Sequence, residues 1–192
     1  MTIHSVHGAL TAKKLGFERA VLSRELTKTQ IEQISKLDIE TEIFVHGALC
    51  MSVSGQCYMS SFIGQRSANR GLCAQTCRLP FSACGNKNRC GLSLKDLSLI
   101  EHIDEIKQTG VSSLKIEGRM KRPEYVAAAV TAYRNAIDGK DYDAETLKAV
   151  FSRNGFTDGY FTEKYTGMFG TRMKDDVLAA KAVSYTHLRA HE

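Results

Sequence analysis

All six cysteines of this 192-residue chain lie between Cys50 and Cys90, and that clustering constrains the fold more than any other feature. Thiols serving only as small core residues would be spread along the chain. Here "HGALCMSVSGQC" and "GLCAQTCR" carry Cys50, Cys57, Cys73 and Cys77 in sequence that keeps neither a helical nor a strand period from Gly47 to Leu79. A long irregular stretch inside a compact domain is usually functional. The sequence on either side is regular, so the cysteines belong to an excursion from an ordered scaffold.

That scaffold reads as alternating helices and strands. "GALTAKKLG" (Gly8–Gly16) has apolar residues at helical spacing and stops at a glycine. "RAVLS" is a short buried strand, Thr27 or Thr29 caps the helix "KTQIEQISKL", and "TEIFVHG" is the next strand. After the excursion, "CRLPFSACGNKNRCGLSL" predicts a hairpin turning at Gly85–Asn88. Asp96 is expected to cap the helix "LSLIEHIDEIKQTG", and "SSLKIEG" is a third core strand. Pro123 suits the first turn of the alanine-rich helix "PEYVAAAVTAYRNAID", and a shorter helix follows around "DAETLKAVF". "NGFTDGYFTEKYTGMFG" reads as a packed extension. The expected class is α/β with parallel strands. Three strands are too few for a closed barrel, so the chain reads as incomplete. Its organisation is a unit over residues 1–140 with the Cys-rich insertion at 47–92, an extension over 141–182, and a tail over 183–192 that reads as non-native sequence.

In parallel α/β folds the chemistry collects where strands end. Ser23, Arg24 and Glu25 follow the first strand, His46 to Cys50 the second, and Glu117 to Arg119 the third. Glu25, Glu42, His46, Lys115 and Glu117 are therefore rim candidates, either for catalysis or for ion pairs that seal the rim. Arg119 is the best grip for a carboxylate or phosphate, because a guanidinium binds such groups bidentately. Arg66, Arg70 and Arg78 flank the cysteines and are candidates for an anionic cluster or substrate; Tyr160 and Phe161 are candidates for stacking a base.

With 43% hydrophobic and 24% charged residues the composition is that of a globular protein. No apolar run approaches the roughly 20 residues a membrane span needs, and the first residues lack a signal-peptide layout, so a cytoplasmic location is expected. In a reducing compartment clustered thiols bind metal or react rather than form disulfides. Neither HExxH nor GxSxG occurs. Thiolates from glycine-containing loops suit an iron–sulfur cluster; zinc prefers paired ligands two to four residues apart, which only Cys73 and Cys77 approach. Inert buried thiols, and a nucleophilic Cys50 paired with His46, are the other readings of the same residues.

The stretches "LSREL", "EIFVHGALCMSVSGQCYMSS", "RSANRGLCAQTCRLPF", "SLKDLSLIEHI" and "LKIEGRMKRPEYVAAAV" together resemble the U32 peptidase family, the collagenase-like proteases. The resemblance implies the C-terminal part of a TIM-type barrel. It also implies an iron–sulfur cluster, of the 4Fe-4S kind, supporting oxygen-independent hydroxylation of RNA. The branch with "FVHGALC" and "IEGRMKRPEYV" is similar to tRNA uridine hydroxylation proteins, with prephenate as the hydroxyl source, tRNA or another RNA as substrate, and a partner protein of the same family. Cys50, Cys57 and Cys73 match the cluster ligands. Many members have a further cysteine after "KDL", where this chain has Ser98, so Cys77, or Cys84 or Cys90, is expected to stand in. His46, Glu117 and Arg119 would be catalytic, and Arg66, Arg70 and Arg119 would bind substrate. A metal-dependent peptidase and a non-catalytic RNA-binding module are the alternative functions.

Overall fold

The computed structural model describes residues 3–83, 85–118, 121–150 and 155–170. The chain opens with helix α1 (Val6–Lys14), whose N-terminus is capped by the Ser5 hydroxyl accepting the Gly8 N–H at 3.1 Å. Strand β1 (Arg19–Val21) leads to helix α2 (Lys28–Ser35), which begins in a reciprocal capping box. Thr27 Oγ1 accepts from the Gln30 amide at 3.3 Å, and Gln30 Oε1 accepts from the Thr27 amide at 3.0 Å. Ile31 and Ile34 bury the inner face of α2 against strand β2 (Glu40–Ala48). In β2 the residues from Ile43 to Gly47 are mostly buried, the near-continuous apolar run expected of a strand covered on both faces.

After β2 the chain leaves the sheet. Among the described residues its one α-helical piece before the hairpin is the short α3 (Met59–Gly64), with 3₁₀ turns at Val53–Gly55, Ala68–Arg70 and Thr76–Arg78. Strands β3 (Phe81–Ala83) and β4 (Asn86–Arg89) form the expected antiparallel hairpin, with its turn ahead of Asn86 rather than spanning 85–88. Cys84 lies outside the described residues. The chain then returns to the sheet as β5 (Asp96–Ser98). Helix α4 (Ile103–Gln108), strand β6 (Ser113–Ile116), helix α5 (Pro123–Ile137) and helix α6 (Ala144–Val150) follow. Strand β7 (Phe156–Thr157) and the short helix α7 (Gly159–Thr162) complete the described part.

The main sheet has five strands. β1 and β6 both run parallel to β2, as the helix–strand rhythm predicts, with Glu42 opposite Val21 on one side and Ser113 on the other. β5 pairs antiparallel with the last residues of β2, His46 opposite Ser98 and Ala48 opposite Asp96, and β7 pairs parallel with β5. His46 thus has Ser98 on one flank and Ile116 on the other, so β5 continues along the edge of β2 that β1 occupies earlier.

The α/β class is as expected, and the strands form an open, mixed sheet in which β5 runs antiparallel to β2. Asp96 is not a helix cap. It sits inside β5 and is buried, and the helix starts only at Ile103 after a 3₁₀ turn. The apolar run Leu97, Leu99, Ile100 that suggested an earlier helix start is buried in the core. A short apolar run satisfies a strand as readily as a buried helix turn.

Candidate metal centre and its rim

The excursion leaves β2 at Leu49, and its first anchor is electrostatic. Arg78 is buried, and its guanidinium donates to the carbonyls of Leu49 and Leu94 and to Ser93 Oγ, the last at 3.1 Å. One side chain thereby ties the residue before Cys50, the residue after Cys77 and the chain entering β5. A rigid fork with five donors suits this; lysine could not reach three acceptors in one plane. Arg78 was a candidate for holding an anion, but its donors are committed to backbone and to Ser93.

The second anchor is Glu25, just past β1. Its carboxylate accepts from the Ser54 amide at 2.8 Å and from the Ser23 hydroxyl, and Ser54 sits at φ 49°, in the left-handed region. The third is Ser60, fully buried in α3, whose Oγ accepts the Ala74 amide at 3.1 Å. These anchors gather the four cysteine segments into one neighbourhood. Burial pushes the Cys50 thiol above its ordinary value, the charges of Cys77, Cys57 and Cys73 push the same way, and the Ser52 amide opposes them. Cys50 thus lies within electrostatic reach of the other three sulfurs of the expected set.

A repeated local geometry surrounds them. The Met59 amide donates to Cys57 Sγ at 3.3 Å and the Gln75 amide to Cys73 Sγ at 3.3 Å. In each case the donor lies two residues after the sulfur. Such N–H···S bonds stabilise thiolate and tune cluster potential. Cys50 keeps its proton more tightly than a free thiol, so a bound cation is the partner that would make it a ligand. The donor set fits a thiolate-held cluster in this respect. Among the described residues no group of three His, Cys, Asp or Glu side chains is placed to hold a metal ion. Cys90 is a free, half-buried thiol beyond the hairpin.

The rim residues divide into two groups. On the first, Glu42 accepts from Lys115 at 2.7 Å and from Ser113 Oγ at 3.0 Å, and the Lys115 bond holds its carboxyl below the usual carboxylate range despite burial. Glu117 pairs with Arg24, whose guanidinium lies 4.1 Å over the Phe44 ring. Gly47 makes that placement possible: at φ 119°, a Cβ on it would meet Glu117 Cβ at 2.5 Å. Arg24–Glu117 is thus an ion pair just past the strand ends, and Lys115–Glu42 is one between the neighbouring strands β6 and β2. Arg119 lies outside the described residues.

On the second group, the structure separates His46 from Cys50. The imidazole is 1% exposed, walled by the rings of Tyr125, Tyr133 and Phe156 at 5.8, 5.5 and 5.1 Å. Burial, helped by the charge of Lys121, lowers its pKa to about 4. Tyr133 Oη donates to the Val45 carbonyl at 2.7 Å and accepts the Leu99 amide at 3.1 Å. Its 3.5 Å contact with Nδ1 therefore calls for the proton on Nδ1, leaving Nε2 a buried acceptor. No hydrogen bond joins His46 to Cys50 among the described residues, so the cysteine–histidine nucleophile is not assembled.

Tyr160 and Phe161 also part. Phe161 is core, packed 5.4 Å from His102. Tyr160 stacks edge-on to Tyr165 at 6.3 Å, and burial raises its pKa, with the charges of Glu25 and Cys50 acting in the same direction. Arg66 and Arg70 are exposed on the excursion. Motif spacing gave no sign of Tyr58 and Phe62, large aromatics left in solvent beside those arginines. The signal that could have found them is charge segregation: residues 43–95 contain no aspartate or glutamate.

A profile of peptidase family U32 matches residues 1–168. The chain is 40% identical to an uncharacterized protease of Methanocaldococcus jannaschii, over 83% of this chain and 46% of that protein. It is 40% identical to tRNA hydroxylation protein P1 of Bacillus subtilis (70% of this chain, 35% of that protein). It is 41% identical to the 23S rRNA 5-hydroxycytidine synthase of Escherichia coli (71% of this chain, 22% of that protein). The chain therefore spans less than half the length of these relatives, and no solved structure matches it. Matched over most of its length and carrying the cysteine excursion on its sheet, this chain belongs to the peptidase family U32.

Proposed function

We propose that this chain is the cluster-bearing part of an iron–sulfur dependent RNA hydroxylation protein, acting on a nucleobase of tRNA or of another RNA. The observation that carries the reading is the sulfur set: Cys57 and Cys73 each receive an amide N–H from the residue two positions further along the chain, and Cys50 lies within electrostatic reach of Cys57, Cys73 and Cys77. The relatives named for tRNA and rRNA hydroxylation support the reaction class. Cys50, Cys57, Cys73 and Cys77 would hold the cluster, Cys77 standing in for the position that Ser98 occupies. When bound, the cluster supplies one-electron chemistry.

The chain's own residues do the rest. The amides of Met59 and Gln75 stabilise thiolates, Arg78 fixes the two ends of the excursion, and Glu25 orients the Ser54 turn. Tyr160 keeps its hydroxyl protonated, burial first and then the charges of Glu25 and Cys50 raising its pKa. Arg119 is the expected grip for an anionic small molecule such as prephenate.

The test is anaerobic loading of the chain with iron and sulfide. Broad visible charge-transfer absorption is expected, and Cys50→Ser, Cys57→Ser or Cys77→Ser should each bleach it while Cys90→Ser leaves it intact. Retained colour in the first three variants would sink the ligand assignment. Colourless protein that cleaves gelatin once a divalent cation is added would favour the peptidase reading instead.

A further inference from the structure

We infer that single-stranded RNA docks on the outer face of the excursion, with Tyr58 and Phe62 as stacking platforms for bases and Arg66 and Arg70 on the phosphates. The inference rests on the RNA reading above and names the surface through which it works. Its first observation is charge. Residues 43–95 carry no carboxylate side chain but contain Arg66, Arg70, Arg78, Lys87, Arg89 and Lys95. The whole chain has 26 basic and 21 acidic residues, so this stretch holds +6 and all remaining sequence −1. The chain's positive charge is thus localised on the excursion, the electrostatic footprint of a polyanion site.

The second observation is exposure. Phe62 is 89% and Tyr58 61% exposed, Phe62 being the most exposed large apolar side chain among the described residues. They lie one helical turn apart, the Phe62 amide donating to the Tyr58 carbonyl at 3.1 Å. Ser60, between them, is buried and bonded to Ala74, so α3 is held with its 58/62 side outward. The turn Ala68–Arg70 packs against α3, and Arg66 Nε donates to the Leu72 carbonyl at 3.1 Å, fixing where that guanidinium stands. Aromatic faces interleaved with arginines suit unpaired bases on a phosphate backbone, since every base offers a π-face. Cys73, exposed on the same segment, puts this surface directly beside the sulfur centre.

The test is fluorescence anisotropy with a labelled, uridine-rich single-stranded RNA, titrated with the chain at several salt concentrations. Phe62→Ala should weaken binding about tenfold without changing the salt slope. Arg66→Glu with Arg70→Glu should weaken it tenfold or more. The slope of log affinity against log salt should fall by about 1.4, because two phosphates of a single strand are no longer neutralised. Lys14→Glu with Lys140→Glu, the same charge change away from the excursion, should cost much less. Arg70→Glu alone carries the charge test if the double variant melts earlier than the unmodified chain. RNA binding equal to the unmodified chain in both sets would overturn the surface and leave the RNA reading standing. Absence of any RNA binding by the unmodified chain would overturn both. Loss of self-association in the Phe62 variant with RNA affinity unchanged would reassign the face to a second protein copy.

Discussion

The sheet and the excursion are built by different physics. In the sheet, Leu22, Val45 and Leu97 are buried, Ile34 of α2 is buried on it, and the strands share backbone ladders, so order comes from many interchangeable apolar contacts. In the excursion, α3 is a short helix and the rest is 3₁₀ turns, with Ser54, Gln65 and Gln75 in left-handed backbone. Order there comes from a few polar anchors, Arg78, Glu25 and Ser60, each doing a task no neighbour duplicates. A region held this way opens more easily than a core, which suits a ligand site.

The sharpest way to break that contrast is Arg78→Met. It strands the Leu49 and Leu94 carbonyls, at roughly 2 kcal/mol each, so opening of the excursion should become easier by about 4 kcal/mol. Hydrogen exchange should show reduced protection from Cys50 to Leu79 with β2 and β6 unchanged. Equal loss in both regions would mean that they unfold as one unit.

His46 tests the sheet side through pH. Its folded pKa of about 4 lies below the ordinary 6.5, so the unfolded chain takes up the proton first as pH falls. Stability from this group is complete above pH 6.5 and is lost between 6.5 and 4, by about 3 kcal/mol. Denaturant midpoints of the unmodified chain should fall in that window relative to those of His46→Gln. Because β2 belongs to the core, sheet and excursion should go together. The smallest effect is expected from Thr27→Ala, which removes the α2 capping box at a cost of about 1 kcal/mol. It should lower the midpoint and leave exchange in the excursion unaltered.

Much of the scaffold was legible in the sequence. The Thr27 cap, the Pro123 start of α5 and the three parallel strands all rest on signals within a few residues. Of the candidate site, the ion pairing of Glu42 with Lys115 and of Glu117 with Arg24 was legible as charge at or near strand ends. The antiparallel insertion of β5 was not. "DLSL" carries no local mark that distinguishes a strand from a helix start, and its pairing with Ala48 and Phe156 joins residues far apart in the chain.

The sequence by itself determined the local alphabet: where helices begin, which runs are apolar, and that the cysteines and positive charge share one irregular segment. Only the tertiary structure decided the direction in which ambivalent side chains turn. Arg78 points inward onto carbonyls while Arg66 and Arg70 stay in solvent, and His46 enters an aromatic cage rather than meeting Cys50. A side chain's role follows from the desolvation and hydrogen bonds it meets after packing, and those partners lie far away along the chain.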